Sequence, residues 1–442
     1  MLKRIRIKGY KSLEDVEVEL NPLTLLMGPN AAGKSNFLDA LQLLSKLATS
    51  RTVKEAFDAP YRGKPLESFT FGPEGIAGLR RKKRISFILE VDIYLSDQVV
   101  ESVNHQVLAL RRSSENGTMS DYNKESNQRL ALVRERNLRY RVEIEMLPNE
   151  AILRVADEYL VALNSKGEPA RNRKPFIEQQ GGKIRLRTER QSHPVYHERY
   201  LDKTVLSMPH YSPHHPHLEA AKREMESWKF YYFEPRELMR LENPLKEVRH
   251  IGPMGEELAA YLHTANAFNP KQFHALKKSL HTLLPRVNDI DTDVDNLGEI
   301  ELQIDEDGVK FSARLLSEGT LRMLGLLAST GIKETPSLVG IEEPENGVHP
   351  VQIELIAEFF NARLLEGNTQ YIITSHSPIL PDYIPSESLY IVKRESQKTV
   401  IDHFSSWGPL FRKNDISGAL DDGVIESVLP VSERIMRGDF DA

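Results

Sequence analysis

The chain has 442 residues, no cysteine and a formal net charge of −6 at pH 7. A chain without cysteine has no disulfide framework and no thiolate zinc site, and this composition fits a reducing compartment. No apolar run reaches the length of a membrane span, and the first residues lack the apolar core of a signal peptide. We therefore expect a cytoplasmic protein that does not enter the membrane.

Basic residues are concentrated in the first 240 residues, whereas acidic residues predominate in the remainder. Three basic clusters stand out: Arg80–Arg84, Arg171–Lys174 and Lys183–Arg190. Such an asymmetry can mark a face that binds nucleic acid, but a solvated basic surface is an equally good interpretation. Charge alone leaves DNA binding open.

The first hundred residues alternate between strand and helix patterns. Apolar residues alternate with charged ones over residues 1–20, which predicts a hairpin with one buried face. Residues 23–27 form a continuous apolar run of strand length, and the apolar spacing after Ser35 is that of a helix. Residues 85–96 predict another strand. Residues 97–139 are polar and poorly periodic, so we expect loops there.

The rest of the chain also mixes strands and helices. Residues 140–163 predict strands, 217–228 a short helix, 229–233 a strand and 255–284 helical structure. Strands are expected within 299–313. From Leu315 the pattern is helix, strand, helix, strand, followed by a hairpin that ends near residue 404.

The segment Gly28–Ser35 matches the phosphate-loop pattern GxxxxGK followed by Ser or Thr. In such a loop, backbone N–H groups and the N-terminus of the next helix surround phosphate oxygens. Lys34 would reach the β- and γ-phosphates, and the Ser35 hydroxyl would ligate Mg²⁺. A glycine-rich turn without a ligand is the alternative. The predicted nucleotide-binding residues are Gly28, Pro29, Asn30, Ala31, Ala32, Gly33, Lys34, Ser35 and Asn36.

Two further polar sites follow apolar strands. Glu342 and Glu343 come after an apolar run of four residues, and His376 comes after the next apolar run. Beside a phosphate loop, Glu342 would hold Mg²⁺ through its water shell, and Glu343 would orient or deprotonate the attacking water. His376 could touch the γ-phosphate. Taken alone, the glutamates would be surface charge and the histidine a capped or solvated residue.

A fourth motif, residues 316–319, precedes an apolar helix. Ser317 and Gly319 form a turn of small residues, and the N-terminus of the helix could bind a second phosphate. An ordinary helix cap explains the same residues. Its position shortly before the carboxylate strand favours the functional interpretation.

In this order, the four motifs resemble the ATP-binding-cassette (ABC) head of the RecF/SMC/OLD-like ATPases, and in particular stand-alone AAA-type members without a long coiled coil. The resemblance implies a P-loop α/β head with a mixed sheet, an antiparallel β lobe and a helical subdomain, which binds ATP and Mg²⁺. It assigns Ser35 and Glu342 to the metal, and Glu343 and His376 to catalysis. It assigns the signature motif to Ser317, Glu318 and Gly319.

The resemblance also implies partners. Such heads sandwich ATP between two copies, which predicts a homodimer or a higher homo-oligomer. Similar proteins often control a separate effector, such as a nuclease or toxin, in prokaryotic defence against phages. Two alternatives stay open: a DNA-binding repair or recombination ATPase of RecF type, and a slow-turnover scaffold gated by nucleotide.

We expect an N-terminal ATPase lobe over residues 1–96, an insertion over 97–228, a C-terminal ATPase lobe over 229–410 and a tail over 411–442. Within the insertion, six histidines lie close together in sequence. They could chelate a metal, but the prolines between them favour a solvated polar loop. These histidines are His193, His197, His210, His214, His215 and His217.

Overall fold

The computed structural model describes residues 1–115, 131–171, 173–189, 193–332, 334–406, 430–438 and 440. The chain divides into two compact units, each assembled from segments that are distant in sequence. The first unit comprises Met1–Leu20, Asp39–Trp228 and Glu395–Val400, and the second comprises Asn21–Leu38, Lys229–Arg394 and Ile401–Ala442.

The first unit is built on an antiparallel sheet of eight strands in the order β2-β1-β4-β5-β6-β7-β8-β9. Alternating apolar residues of the first two strands are buried, which confirms the predicted hairpin. The strands are β1 (Leu2–Tyr10), β2 (Leu13–Glu19), β4 (Ile85–Tyr94), β5 (Asn137–Leu147), β6 (Ile152–Ala162), β7 (Ile177–Gln180), β8 (Lys183–Leu186) and β9 (Val195–His197).

Three helices of the first unit are α2 (Gly75–Arg80), α3 (Asp97–Glu115) and α4 (Pro216–Glu226). The prediction of loops over residues 97–139 is wrong, because α3 occupies the start of that range and β5 its end. Valines 99, 100, 103 and 107 of α3 are buried at helical spacing. The many polar residues between them hide this spacing in the sequence. Residues 116–130 lie outside the described residues.

The second unit is built on a six-stranded sheet in the order β10-β15-β16-β3-β17-β18, and its first five strands are parallel. All five residues of β3 are buried, as expected for a central parallel strand covered on both faces. The strands are β3 (Leu23–Met27), β10 (Lys229–Tyr231), β15 (Leu338–Glu342), β16 (Gln370–Ser375), β17 (Leu389–Glu395) and β18 (Lys398–His403).

A smaller antiparallel sheet and most of the helices complete the second unit. The predicted helical stretch 255–284 is two helices, because Asn269 caps the second one and Pro270 starts it. The sheet contains β11 (Asn243–Pro244), β12 (Val287–Val294), β13 (Glu299–Glu306) and β14 (Val309–Ser312), and the helices are α5 (Leu258–Phe268), α6 (Pro270–Leu283), α7 (Glu318–Ala328), α8 (Ile353–Glu366) and α9 (Val431–Met436). Helix α1 (Lys34–Thr49) begins in this unit and continues into the first.

The phosphate-loop segment joins the C-terminal strands, since β3 pairs with β16 and β17 and not with the antiparallel sheet of the first unit. The boundaries that we expect at residues 96, 228 and 410 remain a prediction for the functional domains. Residues 411–429 of the expected tail lie outside the described residues. Among the described helices, none has the length and apolar character needed to cross a membrane.

Candidate functional site

Three of the sequence-predicted motifs lie at one edge of the second unit's sheet. They are the phosphate loop Gly28–Ser35, the carboxylate turn after β15 (residues 342–347) and the histidine turn at the end of β16 (residues 375–377). Strands β3, β16 and β15 are parallel neighbours, so their carboxyl ends meet there: Met27 lies opposite Ser375, and Thr374 lies opposite Glu342. Open α/β sheets bind their ligands at this edge. The pairing of these strands therefore brings three of the four motifs close together.

The phosphate loop follows β3 directly and leads into α1. Ala31 and Gly33 have positive φ angles of 64° and 111°, which turns the backbone of the loop back on itself. A Cβ atom on Gly28 would lie 2.0 Å from the carbonyl oxygen of Val392 in β17. Glycine is therefore required at this position by the close approach of the neighbouring strand, in addition to the dihedral freedom that the loop demands.

Lys34 is the first residue of α1 and is almost fully buried. Its ammonium group donates hydrogen bonds to the carbonyl oxygens of Gly28 and Pro29, at 2.7 and 3.0 Å, so it lies against the loop itself. Burial lowers the pKa of Lys34 below its ordinary value, and the negative charges of the turn 342–345 oppose this shift. The cation thus lies between the loop and the carboxylates.

The Ser35 hydroxyl donates a hydrogen bond to Oε1 of Glu342, the last residue of β15. A hydroxyl and a carboxylate oxygen are hard ligands of the kind that Mg²⁺ prefers, and Mg²⁺ sites that also hold a phosphate use few protein ligands. The donor set at this point therefore fits Mg²⁺. Glu342, whose side chain is one methylene longer than that of aspartate, brings its carboxylate to the serine hydroxyl.

Glu343 follows in a strained conformation, with φ at +46°. Its backbone N–H donates to the carbonyl oxygen of Thr374 (3.0 Å), which ties the turn to β16. Its side chain accepts a hydrogen bond from Asn346 (2.6 Å), and its Oε1 lies 3.2 Å from Nδ1 of His376. The structure therefore brings together the two residues that the sequence suggested for catalysis. A strained backbone conformation persists only where surrounding contacts hold it, and such conformations cluster at active and ligand-binding sites.

Sequence reasoning missed a third acid in the same turn, Glu345. Its side chain is 4% exposed, compared with 25% for Glu343 and 41% for His376. Oε1 of Glu345 accepts hydrogen bonds from the Ser375 hydroxyl and from the backbone N–H groups of His376 and Ser377. In the sequence, only its position in the run Glu-Glu-Pro-Glu-Asn-Gly points to Glu345. The fold of the turn decides whether this acid is buried, and local sequence does not show it.

The signature motif forms the start of α7. The Ser317 side chain caps this helix by accepting a hydrogen bond from the backbone N–H of Thr320 (3.1 Å). Glu318 forms an ion pair with Arg236 (2.7 Å), so its negative charge is balanced. A Cβ atom on Gly319 would lie 3.3 Å from the carbonyl oxygen of Gly347, which places the start of α7 next to the carboxylate turn. In this chain Ser317 thus acts as a helix cap, and its role towards a phosphate remains a prediction.

The histidine-rich segment belongs to the first unit, and the favoured interpretation as a solvated loop is wrong for two of its members. His215 and His217 are buried. Nδ1 of His217 lies 2.6 Å from Oε2 of Glu189, and its Nε2 accepts hydrogen bonds from the backbone N–H groups of Arg134 and Glu135. Across the described ranges, no group of three or more histidine or acidic side chains could hold a metal ion. His217 therefore serves packing and hydrogen bonding within the first unit.

The basic cluster Arg80–Arg84 is exposed over all five residues, which either a nucleic-acid face or a solvated surface requires. The cluster Arg171–Lys174 includes residue 172, and the cluster Lys183–Arg190 includes residue 190, both outside the described residues. Exposure of Arg80–Arg84 is expected of a DNA-binding face and of a solvated basic surface alike.

Comparison with known proteins identifies relatives of this chain. A family model described as "AAA domain, putative AbiEii toxin, Type IV TA system" matches residues 23–382. An OLD nuclease of Thermus scotoductus is 48% identical over 44 residues, which cover 10% of this chain and 8% of that protein. The DNA replication and repair protein RecF of Lactococcus lactis is 27% identical over 105 residues, and that of Streptococcus agalactiae 33% over 106. These matches cover 24% of this chain and about a quarter of each RecF, 27% and 26%.

Solved structures also resemble the chain over 90% of its length. The SMC head domain from Thermotoga maritima is 13% identical with a TM-score of 0.39, and an SmcHead bound to the C-winged helix domain of ScpA is 11% identical with a TM-score of 0.45. Each match covers 97% of the other chain. At these TM-scores the likeness carries no argument about the site or its chemistry.

Proposed function

The chain belongs to the family of AAA domains whose model matches residues 23–382, and we propose that it is an ATP-hydrolysing switch of ABC type. The family match, together with the OLD and RecF relatives, confirms the resemblance to RecF/SMC/OLD-like ATPases. One observation carries the proposal. The phosphate loop, the Ser35–Glu342 pair and the Glu343–His376 pair meet at the carboxyl edge of one parallel sheet. This is the set of groups that binding and hydrolysis of a nucleoside triphosphate requires.

The binding half of the site consists of backbone and one cation. The N–H groups of residues 28–36 and the N-terminus of α1 would bind the phosphate oxygens, and the Lys34 ammonium would leave the loop carbonyls for the β- and γ-phosphates. Ser35 and Glu342 would hold Mg²⁺, which when bound neutralises charge on the β- and γ-phosphate oxygens. All of these residues belong to one unit of the protein, which supports the proposal.

The hydrolytic half consists of Glu343 and His376. Glu343 would orient the attacking water and accept its proton while the water oxygen bonds to the γ-phosphorus and the bond to the bridging oxygen breaks, which yields ADP and inorganic phosphate. His376, 3.2 Å from Glu343 and 41% exposed, would contact the γ-phosphate oxygens. The contact to Asn346 holds the glutamate in position from the other side.

Assembly would complete the site. In the proposed sandwich, Ser317 and Gly319 of one copy contact the γ-phosphate that Lys34 of the other copy holds. ATP would then close a homodimer, and hydrolysis would open it. The proposal extends to control of a separate effector, a nuclease or a toxin, in cytoplasmic defence against phages. That role rests on analogy with the toxin and nuclease names carried by the family and by one relative.

A second candidate is a repair or recombination ATPase, which the name of the RecF relatives and the exposed cluster Arg80–Arg84 favour. An ATPase of this kind should bind duplex DNA without sequence preference, and its affinity should fall steeply as the salt concentration rises. A gel mobility shift at two salt concentrations separates it from the first candidate. Replacing the five basic residues by glutamine should abolish the shift if they contact phosphates, and should leave it unchanged if they are only solvated. A slow-turnover scaffold would bind ATP but hydrolyse it no faster when DNA is added.

ATP turnover of the purified protein with Mg²⁺ tests the proposal. Glu343→Gln keeps the size of the side chain but removes the base, so hydrolysis should fall by about 10² or more while ATP affinity is retained. Glu358→Gln, an exposed acid on α8, is the matched control and should behave like the parent. A parent that fails to bind ATP, or a Glu343→Gln variant that hydrolyses ATP at the parental rate, would contradict the assignment.

A further inference from the structure

The carboxylate turn contains a buried acid to which neither the phosphate loop nor the metal site assigns a task. Glu345 is two residues beyond Glu343, and its side chain is 4% exposed. Charged side chains are almost never buried unless they are paired or hydrogen-bonded. The partners of Glu345 therefore indicate why an acid is kept at this position.

Within the described residues, the hydrogen bonds to the side chain of Glu345 come from one place, the turn that carries His376. Oε1 accepts from the Ser375 hydroxyl at 2.5 Å and from the backbone N–H groups of His376 and Ser377 at 3.2 and 3.3 Å. Three donors on one oxygen fix the direction in which the chain leaves β16. The carboxylate turn and the histidine turn are thus tied together by a single side chain.

The second oxygen of Glu345 is used differently. Oε2 is buried and has no hydrogen-bond partner among the described residues. The ammonium of Lys34 and the guanidinium of Arg322 on α7 lie within electrostatic range of this carboxylate. A buried oxygen without a donor costs stability, so packing alone does not explain the residue. Its negative charge therefore interacts with a cation at the phosphate loop and with a cation of α7.

The imidazole of His376 is held between two glutamates. Its Nδ1 is 3.2 Å from Oε1 of Glu343 and 4.0 Å from Oε1 of Glu345. Because Glu345 also accepts the backbone N–H of His376, it sets both the path of the turn and the side on which the imidazole lies. Loss of Glu345 would free the imidazole to leave Glu343.

We propose that Glu345 is a positioning residue, which acts on catalysis by holding the histidine turn so that Nδ1 of His376 faces Glu343. The expected effect on ATP hydrolysis rests on the proposed function. The placement of His376 by Glu345 does not depend on it. We expect the phosphate loop, Ser35 and Glu342 to be retained in Glu345 variants, because the described hydrogen bonds of this side chain go to the histidine turn.

The alternative is that Glu345 only stabilises the fold, and the chain offers a matched control for it. Glu158, in the first unit, is also fully buried and also accepts two backbone N–H groups and one hydroxyl, from Val205, Leu206 and Tyr140. Glu158→Ala therefore measures what it costs to remove such an anchor away from the site. Glu345→Ala removes the anchor at the site, and Glu345→Gln keeps an oxygen acceptor of the same shape.

The kinetic test compares these variants in two backgrounds. Glu345→Ala should lower kcat by about 10- to 100-fold, the usual effect of losing a group that orients a functional side chain, with KM and ATP affinity within about threefold of the parent. Glu345→Gln should recover most of kcat. In a His376→Gln background, Glu345→Ala should cause no further loss, because a residue that acts through His376 has nothing left to position.

A direct probe of the imidazole complements the kinetics. In nitrogen-15 spectra of the histidine side chains, the His376 signal is the one that disappears in His376→Gln. It should shift in Glu345→Ala and stay near its parental position in Glu345→Gln and Glu158→Ala. A parent that hydrolyses no ATP would overturn the proposed function, but these spectra would still decide the placement of His376. An unchanged His376 signal in Glu345→Ala, or an equal loss of kcat in both backgrounds, would overturn the positioning role.

Discussion

Replacement of Gly28 by alanine tests how the phosphate loop is built into the sheet. The new Cβ would lie 2.0 Å from the carbonyl oxygen of Val392 and 3.1 Å from its carbonyl carbon. Real Cβ atoms are not found closer than about 3 Å to such an atom, so the strands must separate by roughly 1 Å. The neighbour is backbone and cannot rotate away. Overpacking of this kind typically costs about 1–3 kcal/mol, and the distortion falls on the loop that would bind phosphate.

The assay is thermal unfolding together with ATP binding by calorimetry. For a unit of about 200 residues, a loss of 2 kcal/mol lowers Tm by about 4–8 °C, and ATP affinity should fall with it. Gly167→Ala is the control, because Gly167 also has a positive φ, +75°, but has nothing within 4 Å of the added Cβ. This control gives the cost of an alanine at positive φ without a steric clash, about 1–2 kcal/mol. If Gly28→Ala destabilises the protein no more than Gly167→Ala does, the close approach of β17 has no energetic consequence.

Two further predictions concern buried ionisable groups. Lys34→Ala should abolish ATP binding in calorimetry, whereas Lys46→Ala, which removes a half-buried lysine of the same helix, should bind ATP like the parent. Equal affinities of the two variants would contradict the loop assignment. Burial raises the pKa of Glu158 from 4.5 to about 7, so the folded chain retains a proton that the unfolded chain releases. Stability from this group is present below pH 4.5 and lost as pH rises through 7, by about 3 kcal/mol in total. The Tm of the parent should therefore fall between pH 5 and 8, and this fall should be absent in Glu158→Gln. If Tm depends on pH in the variant as it does in the parent, another group is responsible.

Much of the site follows from local sequence, because each motif joins a strand to a turn. The strand, loop and helix predicted around Gly28–Ser35 are present, as are the strands before Glu342 and His376. Parallel strands with apolar runs must pack side by side, and their carboxyl ends then coincide. The proximity of Ser35 to Glu342 and of Glu343 to His376 is a consequence of this topology. The chemical roles of these residues remain predictions that mutation must test.

Other features depend on contacts that no local pattern contains. The burial of Glu345 is decided by the turn of β16, which is 30 residues away in sequence. The need for glycine at position 28 comes partly from Val392, in a strand near the other end of the chain. Helix α3 is hidden by its polar residues, and its four buried valines become recognisable only once its partners are known. The buried pair of His217 and Glu189 likewise reflects tertiary packing.

The most direct test of the central claim is the mass of the Glu343→Gln variant in solution, measured by light scattering with and without Mg-ATP. If two copies close around ATP, the variant should bind ATP without hydrolysing it and should double its mass, or assemble further, only when Mg-ATP is present. Ser317→Arg in the same background should prevent this, because its long side chain would block the start of α7 from reaching the partner's γ-phosphate. Ser317→Ala, which removes the hydroxyl but adds no bulk at the start of α7, should impair assembly less than Ser317→Arg does. A Glu343→Gln variant that binds ATP and stays at the mass of one chain, or that assembles equally well with Ser317→Arg, would contradict the sandwich.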